Sequence, residues 1–455
     1  MARFALLWAA LGLWAAALTG SFGSGLQSRS GSGPPSKDPF YDVPSGIDKL
    51  KPGSILKHRK PPSPLAAFGE KIDNLVKESH QILYRTTDTL GNATATVLTL
   101  LVPPNADYGK ILSFQAAEDA ASIDCAPSFG YQLESTKYPL LNSATMQLQL
   151  LLAEAALDKG WVVISADSEG PKGAYPADKL AAYATLDGIR AAVNSAPFTG
   201  IKKNPRLSLW GYSGGGSVTL LATELQPAYA PELKIAGAAL GGVAAGMSNL
   251  SDTIYQTNKG PVAGFIPITL LGLAAQYPEL GNLIDKHLKP QYRDTFYKPL
   301  IQCLEANKAT FMFGDIAGMF DDPDFIYTNP TLAKIANDMG QSNGVPKVPL
   351  FWYHYVQDQL IPIKNADTTV EKYCAEGVTI EYQRETARNL THATYGLVGA
   401  PDALRWLQGV MNGQEPKPGC SNGTVATPEI DPTFLKILPK KMADLIITYL
   451  AERPL

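Results

Sequence analysis

The run Leu207-Ser208-Leu209-Trp210 breaks off at Gly211-Tyr212-Ser213-Gly214-Gly215-Gly216, and the small-residue stretch Ser217-Val218-Thr219-Leu220-Leu221 follows. An apolar run, a Gly-x-Ser-x-Gly pentapeptide and a helix start, in that order, form the strand, sharp turn and helix that lift a serine clear of a sheet end. Gly211 and Gly215 answer a backbone demand, because the turn is too tight for side chains on its flanks. The Gly214 amide, next after the serine, points at the same spot as the serine oxygen. The bland alternative is a glycine-rich structural turn in a chain with 40 glycines. The strand before and the helix after favour Ser213 as a nucleophile, since a mere turn has no need of that context.

The remaining sequence supplies a sheet for this elbow. Residues 82–87 and 95–102 read as strands around a turn at Gly91-Asn92, and residues 110–114 and 161–166 as short buried strands. Residues 143–158 and 187–193 carry helical spacing, and 206–210 form the strand that leads into the elbow. Strands alternating with helices imply a mostly parallel sheet covered on both faces. From 246 to 340 the alternation gives way to helix-like stretches only (266–277, 280–288 and 332–339), which predicts a helical insertion. The sheet resumes at 350–355, and Met442, Leu445, Ile446, Tyr449 and Leu450 mark one face of a closing helix.

With 455 residues, 45% of them hydrophobic, the chain can hold one large α/β domain with an insertion, and a net charge of −3 gives no sign of nucleic-acid binding. Arg3, the apolar stretch 4–18 and the small residues after it read as a cleaved export signal over 1–20. Residues 21–65, rich in Gly, Ser and Pro, are expected to be largely irregular. The divisions that follow are 66–245 and 341–455 for the two parts of the core, with 246–340 between them. Four cysteines (Cys125, Cys303, Cys374, Cys420) fit two disulfides in an exported chain and show no zinc-ligand spacing. Sequons at Asn92, Asn249, Asn389 and Asn422 are glycosylation candidates.

A nucleophilic serine needs a base, and the base an orienting acid, in the order serine, acid, histidine. Of five histidines, His58 and His80 precede Ser213, His287 lies in the insertion, and His354 sits inside an apolar strand where packing is the better reading. His392 follows a candidate strand at 378–382 and precedes a helix at about 399–411, which makes it the base. Asp358 lies just past the strand 350–355 with Leu360, Ile361 and Pro362 behind it, where the acid belongs; Asp367, the rival, lies beyond the proline on the next helix.

Several separate motifs then carry a family likeness: 119–128 (Asp-Ala-Ala-Ser-Ile-Asp-Cys-Ala-Pro-Ser), Leu186-Asp187-Gly188-Ile189-Arg190, the elbow, Tyr229-Ala230-Pro231-Glu232-Leu233, 358–362, and His392 with Gly399. Over about 39–420 the chain resembles the fungal secretory lipases, a family of Candida antarctica lipase A-like α/β-hydrolases. The resemblance implies an α/β-hydrolase fold with a mostly parallel central sheet and an inserted helical cap over an acyl-binding tunnel. It implies Ser213 as nucleophile, Asp358 as acid, His392 as base, an oxyanion hole at Asp119 and Gly214, and the disulfides Cys125–Cys303 and Cys374–Cys420. After Cys420 the likeness is poor, and no counterpart of the family's C-terminal flap is seen.

Read without the family, Asp119 is an aspartate in the loop that usually supplies the second oxyanion amide, while Glu118 and Asp124 beside it read equally as surface acids. An ionised carboxylate beside a developing oxyanion is counterproductive. Either the Asp119 backbone amide donates, or its side chain is protonated and donates. Most apolar cap residues (Phe265, Ile266, Leu270 and Phe311 among them) are expected to pack helix on helix, with the remainder lining an acyl pocket.

The expected protein is a secreted serine carboxylic-ester hydrolase, a lipase or esterase working through an acyl-enzyme on triacylglycerols or other acyl esters. Its alternatives are deacylation of a fungal secondary metabolite, acyl transfer or peptide cleavage by the same triad, and an inactive hydrolase-fold binding protein. No cofactor, no metal, no nucleic acid and no stable membrane anchor are expected; contact with a lipid interface is allowed. Without the flap, the site is expected to take dissolved medium-chain esters with little help from an interface. A glycan at Asn389 would crowd the base, so that sequon is expected to be vacant or turned away.

Overall fold

The computed structural model describes residues 33–245, 257–338, 344–388 and 390–427. The export segment, the sequons at Asn249 and Asn389 and the closing helix near Met442 lie outside the described residues.

Ten strands form one sheet: β1 Ile55–Arg59, β2 Glu78–Thr87, β3 Ala93–Val102, β4 Asp107–Gln115, β5 Trp161–Ala166, β6 Arg206–Tyr212, β7 Ile235–Gly241, β8 Leu350–Tyr355, β9 Ile380–Glu385 and β10 Cys420–Val425. Their spatial order is β1-β2-β3-β5-β4-β6-β7-β8-β9-β10. The first three are antiparallel to their neighbours, and every pairing from β5 through β10 is parallel. The elbow after β6 therefore sits at the carboxyl ends of a parallel run, where loops from neighbouring strands converge.

Period-two alternation sends alternate side chains to opposite faces. Phe114, Val163, Trp210, Phe351 and Tyr353 pack on one face with α1 (Ala144–Asp158). Ile111, Val162, Leu209, Trp352 and Tyr382 pack on the other with α2 (Asp178–Asn194) and α3 (Gly214–Tyr229). Ser143 starts α1 by accepting a hydrogen bond from the Met146 amide at 3.2 Å.

Three strands depart from the sequence reading. The stretch expected to be irregular supplies β1, paired antiparallel with β2, and its Tyr41 and Ile47 bury against Leu83, Ala95 and Val97. Ladder bonds offered by β2 make that strand; local composition does not. β7, Ile-Ala-Gly-Ala-Ala-Leu-Gly, has almost no β-branched residues, and β10 is an exposed polar edge.

Between β7 and β8 the described residues hold helices and no strand of the sheet: α4 (Phe265–Ala274), α5 (Pro278–His287), α6 (Leu304–Phe311) and α7 (Pro330–Asp338) among them. They share a separate apolar cluster including Ile266, Leu270, Phe311, Phe320 and Ile335. Cys125 is bonded to Cys303 immediately before α6, and Cys374, near the end of α8 (Ile363–Ala375), to Cys420 at the start of β10. In the chain-entropy account the longer loop, 178 residues apart, contributes about 5 kcal/mol and the shorter about 4. No helix of the described residues is long and apolar enough to cross a membrane.

Candidate active site

Ser213 occupies the turn between β6 and α3 with φ 57° and ψ −125°, a strained conformation for a residue with a side chain. The surroundings enforce it. A Cβ on Gly211 would collide with the Gly215 carbonyl, and one on Gly215 with the Gln115 carbonyl of β4. The Ser213 amide donates to the Gly241 carbonyl at 2.9 Å, and Thr219 Oγ1 donates to Gln115 Oε1 at 2.8 Å. Trp210 below it is fully buried, its indole N–H donating to Tyr353 Oη at 3.1 Å.

His392 Nε2 lies 2.8 Å from Ser213 Oγ, and His392 Nδ1 lies 2.6 Å from Asp358 Oδ2. The other Asp358 oxygen accepts the amides of Leu360 at 2.9 Å and Ile361 at 2.8 Å. Burial works to raise the Asp358 pKa, but the hydrogen bond and charge of His392 and the two amides outweigh it and hold the carboxylate below its usual range. His392 opens a helix of its own, α9 (His392–Val398), ahead of α10 (Ala400–Met411), where the sequence reading placed it in a loop before one helix. Thr391 caps α9, accepting from the Thr394 amide at 3.2 Å while Thr394 Oγ1 accepts the Thr391 amide at 2.8 Å. Tyr212 Oη donates to the His392 carbonyl at 2.6 Å, and the His392 amide donates to Gln359 Oε1 at 3.0 Å. The last two contacts were invisible in the sequence.

The rivals are engaged elsewhere. Asp367 accepts from Tyr382 Oη at 2.7 Å and pairs with Arg384 at 2.6 Å. His354 is fully buried with Nε2 at 3.0 Å from the Ile361 carbonyl, and burial pushes its pKa down. His58 stacks on Phe198, and His287 pairs with Asp321.

Asp119 also adopts a left-handed conformation, φ 48°, and its Oδ1 lies over the Gly214 α-carbon. Burial, opposed by the charges of Lys308 and His392, raises its carboxyl to about 6. Glu118, one of two neighbours read equally as surface acids, is buried; Asp124 instead lies at the surface and binds the Ser36 amide and hydroxyl. A cavity of about 140 Å³ opens beside Ser213, Gly214 and Asp119, walled by Ala116, Ala117, Tyr175, Pro176, Leu360 and Ile361. The cap contributes Thr257, Phe265 and Thr269 to it, so Phe265 alone of the apolar cap residues named above meets the cavity. Ile266, Leu270 and Phe311 pack within the cap. Asn92 and Asn422 are exposed. Among the described residues no group of three or more His, Cys, Asp or Glu is arranged to hold a metal ion.

A mostly parallel sheet, a strained serine at its carboxyl edge and a histidine–aspartate pair behind it are the architecture of an α/β-hydrolase. Residues 136–419 match the secretory lipase family. Lipase A of Arthroderma benhamiae is 38% identical over 421 residues, 92% of this chain and 88% of that protein. Lipase 6 of Candida albicans is 35% identical over 406 residues, 87% and 85% of the two chains. The crystal structure of Candida antarctica lipase A in its closed state superposes with a TM-score of 0.78 at 29% identity, covering 92% of this chain and 96% of that one. The chain belongs to the secretory lipase family, and with it to the hydrolases of the lipase and esterase type.

Proposed function

We propose that the protein is a secreted carboxylic-ester hydrolase that works through an acyl-enzyme on Ser213. The observation that carries this reading is the unbroken hydrogen-bonded line from Asp358 through His392 to Ser213 Oγ, ending at a cavity. In the first half-reaction Ser213 Oγ attacks the ester carbonyl while His392 Nε2 takes the hydroxyl proton. The C–O bond to the leaving alcohol breaks, and His392 returns the proton to that alcohol. Water then attacks the acyl-enzyme with His392 again as base; the acid leaves and Ser213 regains its proton. Asp358 stays ionised, fixing the imidazole and balancing its transient charge. The oxyanion is held by the Gly214 amide, at the start of α3 where amides lack helical acceptors, and by the Asp119 carboxyl as an O–H donor. Secretion is supported by the two disulfides.

The cavity favours small acyl groups. A cavity of roughly 150 Å³ holds a benzene ring, so one of this size takes an acyl chain of about six carbons. Each methylene buried contributes about 0.8 kcal/mol. On a panel of dissolved p-nitrophenyl esters, kcat/KM should rise to about hexanoyl and then fall. Hydrolysis confined to emulsions of long-chain esters would contradict this.

Asp119 gives a pH signature. Its carboxyl is protonated below about 6 and ionises above, so the donor is lost, and a negative charge gained, as pH rises through that value. The kcat of the parent enzyme should decline on that limb, whereas Asp119→Asn, a donor at every pH, should not. Asp119→Ala should lose about 10²–10³ in kcat. Matching pH profiles for parent and Asp119→Asn would assign the second donor to a backbone amide.

A further inference from the structure

The loop after β4 and the loop after β5 are crossed by two carboxyl groups. Glu169, from the second loop, accepts the Ala120 amide of the first at 3.3 Å, and the Asp119 amide lies near enough to the same carboxyl to lower its pKa. Glu118, from the first loop, accepts the Glu169 amide of the second at 3.4 Å and the Ser168 hydroxyl at 3.5 Å. Each acid thus binds the backbone of the other's loop. Both are buried, Glu118 with 5% and Glu169 with 7% of its surface exposed. The loops touch closely enough that a Cβ on Gly173 would collide with the backbone of Ala121 and Ser122.

We infer that Glu169 is a positioning residue which, braced by Glu118, holds the Asp119 amide away from the cavity and so presents the Asp119 carboxyl to the oxyanion. The inference rests on the reading of Asp119 as an oxyanion donor, and it gives the reason its carboxyl rather than its amide donates. A left-handed aspartate is strained and persists only where its surroundings over-determine it. The Ala120 amide fastened to a buried carboxyl, with the Asp119 amide turned toward the same group, supplies that restraint. With the amide turned to Glu169, the side-chain O–H is what Asp119 has left to offer. Burial raises the pKa of both glutamates; Asp167 adds to it at Glu118, while Glu118 and Asp119 add to it at Glu169. The groups whose charges act on Asp119 are Lys308 and Glu305 of the cap and His392, and Asp119 in turn raises the pKa of Glu169.

The test is a double-mutant cycle on the full-length enzyme with a dissolved hexanoyl ester. Glu169→Leu removes the acceptor and should lower kcat about 30- to 100-fold with KM within about twofold, part of the loss expected for an oxyanion donor. Glu169→Gln keeps an oxygen acceptor and should restore most of that loss. Because Glu169 acts through Asp119, adding Glu169→Leu to Asp119→Ala should lower kcat no further. Glu169→Asp, which withdraws the carboxyl by one methylene, repeats the cycle if the leucine variant fails to fold. Losses that multiply in the double variant, or an unchanged kcat in Glu169→Leu or Glu169→Asp, would overturn the positioning role. Full activity in Asp119→Ala alone would instead overturn the oxyanion reading beneath it.

Discussion

Ser213→Ala and His392→Ala should each lower kcat by about 10⁵–10⁶, and the double variant should be no worse than either alone. Nucleophile and base act as one unit: without the base the hydroxyl is a poor nucleophile, and without the hydroxyl the base has nothing to activate. Both variants should fold. Alanine at 213 takes the same left-handed backbone that serine already adopts, and the Gly241 bond is made by the amide of that residue. Alanine at 392 keeps the carbonyl that accepts from Tyr212 and the amide that donates to Gln359. Activity on a dissolved ester, a melting curve and covalent labelling by a fluorophosphonate together check this. The parent should be labelled at Ser213, and neither variant should be. Residual hydrolysis within a hundredfold of the parent, in a preparation free of host esterases, would sink the nucleophile assignment.

The elbow was legible because part of its constraint is local: a Cβ on Gly211 would meet the Gly215 carbonyl four residues on, and a pentapeptide records that directly, whereas Gly215 answers to Gln115 of the neighbouring strand. β5 and β8 were legible to the residue, because strands buried on both faces are short apolar runs. β7 escaped because Ile235 and Leu240 are separated by alanine and glycine, which leave no apolar run to read. Asp358 separated from Asp367 on placement alone, since the end of β8 faces the elbow and α8 turns toward Tyr382 and Arg384. Glu118 and Glu169 were not legible. A carboxylate in a loop has the same composition whether it is solvated or clasped to another loop's amides, and only the crossing of the two loops tells them apart. Which apolar cap residue meets the cavity was not legible either. The cap's apolar residues are many, and helices roofing a sheet bury most of that surface on one another; among the described residues of the cap named above, Phe265 meets the cavity.

Asp358→Asn should be more damaging than its size suggests, lowering kcat by about 10⁴ with KM little changed. Asp358 Oδ1 faces two amide donors, Leu360 and Ile361. An asparagine there must place its carbonyl oxygen toward those donors, because its NH₂ would meet them donor to donor. The NH₂ then faces His392 Nδ1, which must accept, and the imidazole proton moves to Nε2. That is the nitrogen 2.8 Å from Ser213 Oγ, so the base now presents a proton where it needs a lone pair. Asp358→Ala removes the orienting group without imposing the wrong tautomer and should retain more activity than the asparagine variant. Asp367→Ala should stay near the parent in kcat while disturbing the packing of Tyr382 and Arg384. Near-parent activity in Asp358→Ala alongside an inactive Asp367→Ala would reverse the acid assignment. An asparagine variant more active than the alanine one would show that the amides of Leu360 and Ile361 do not dictate the tautomer of His392.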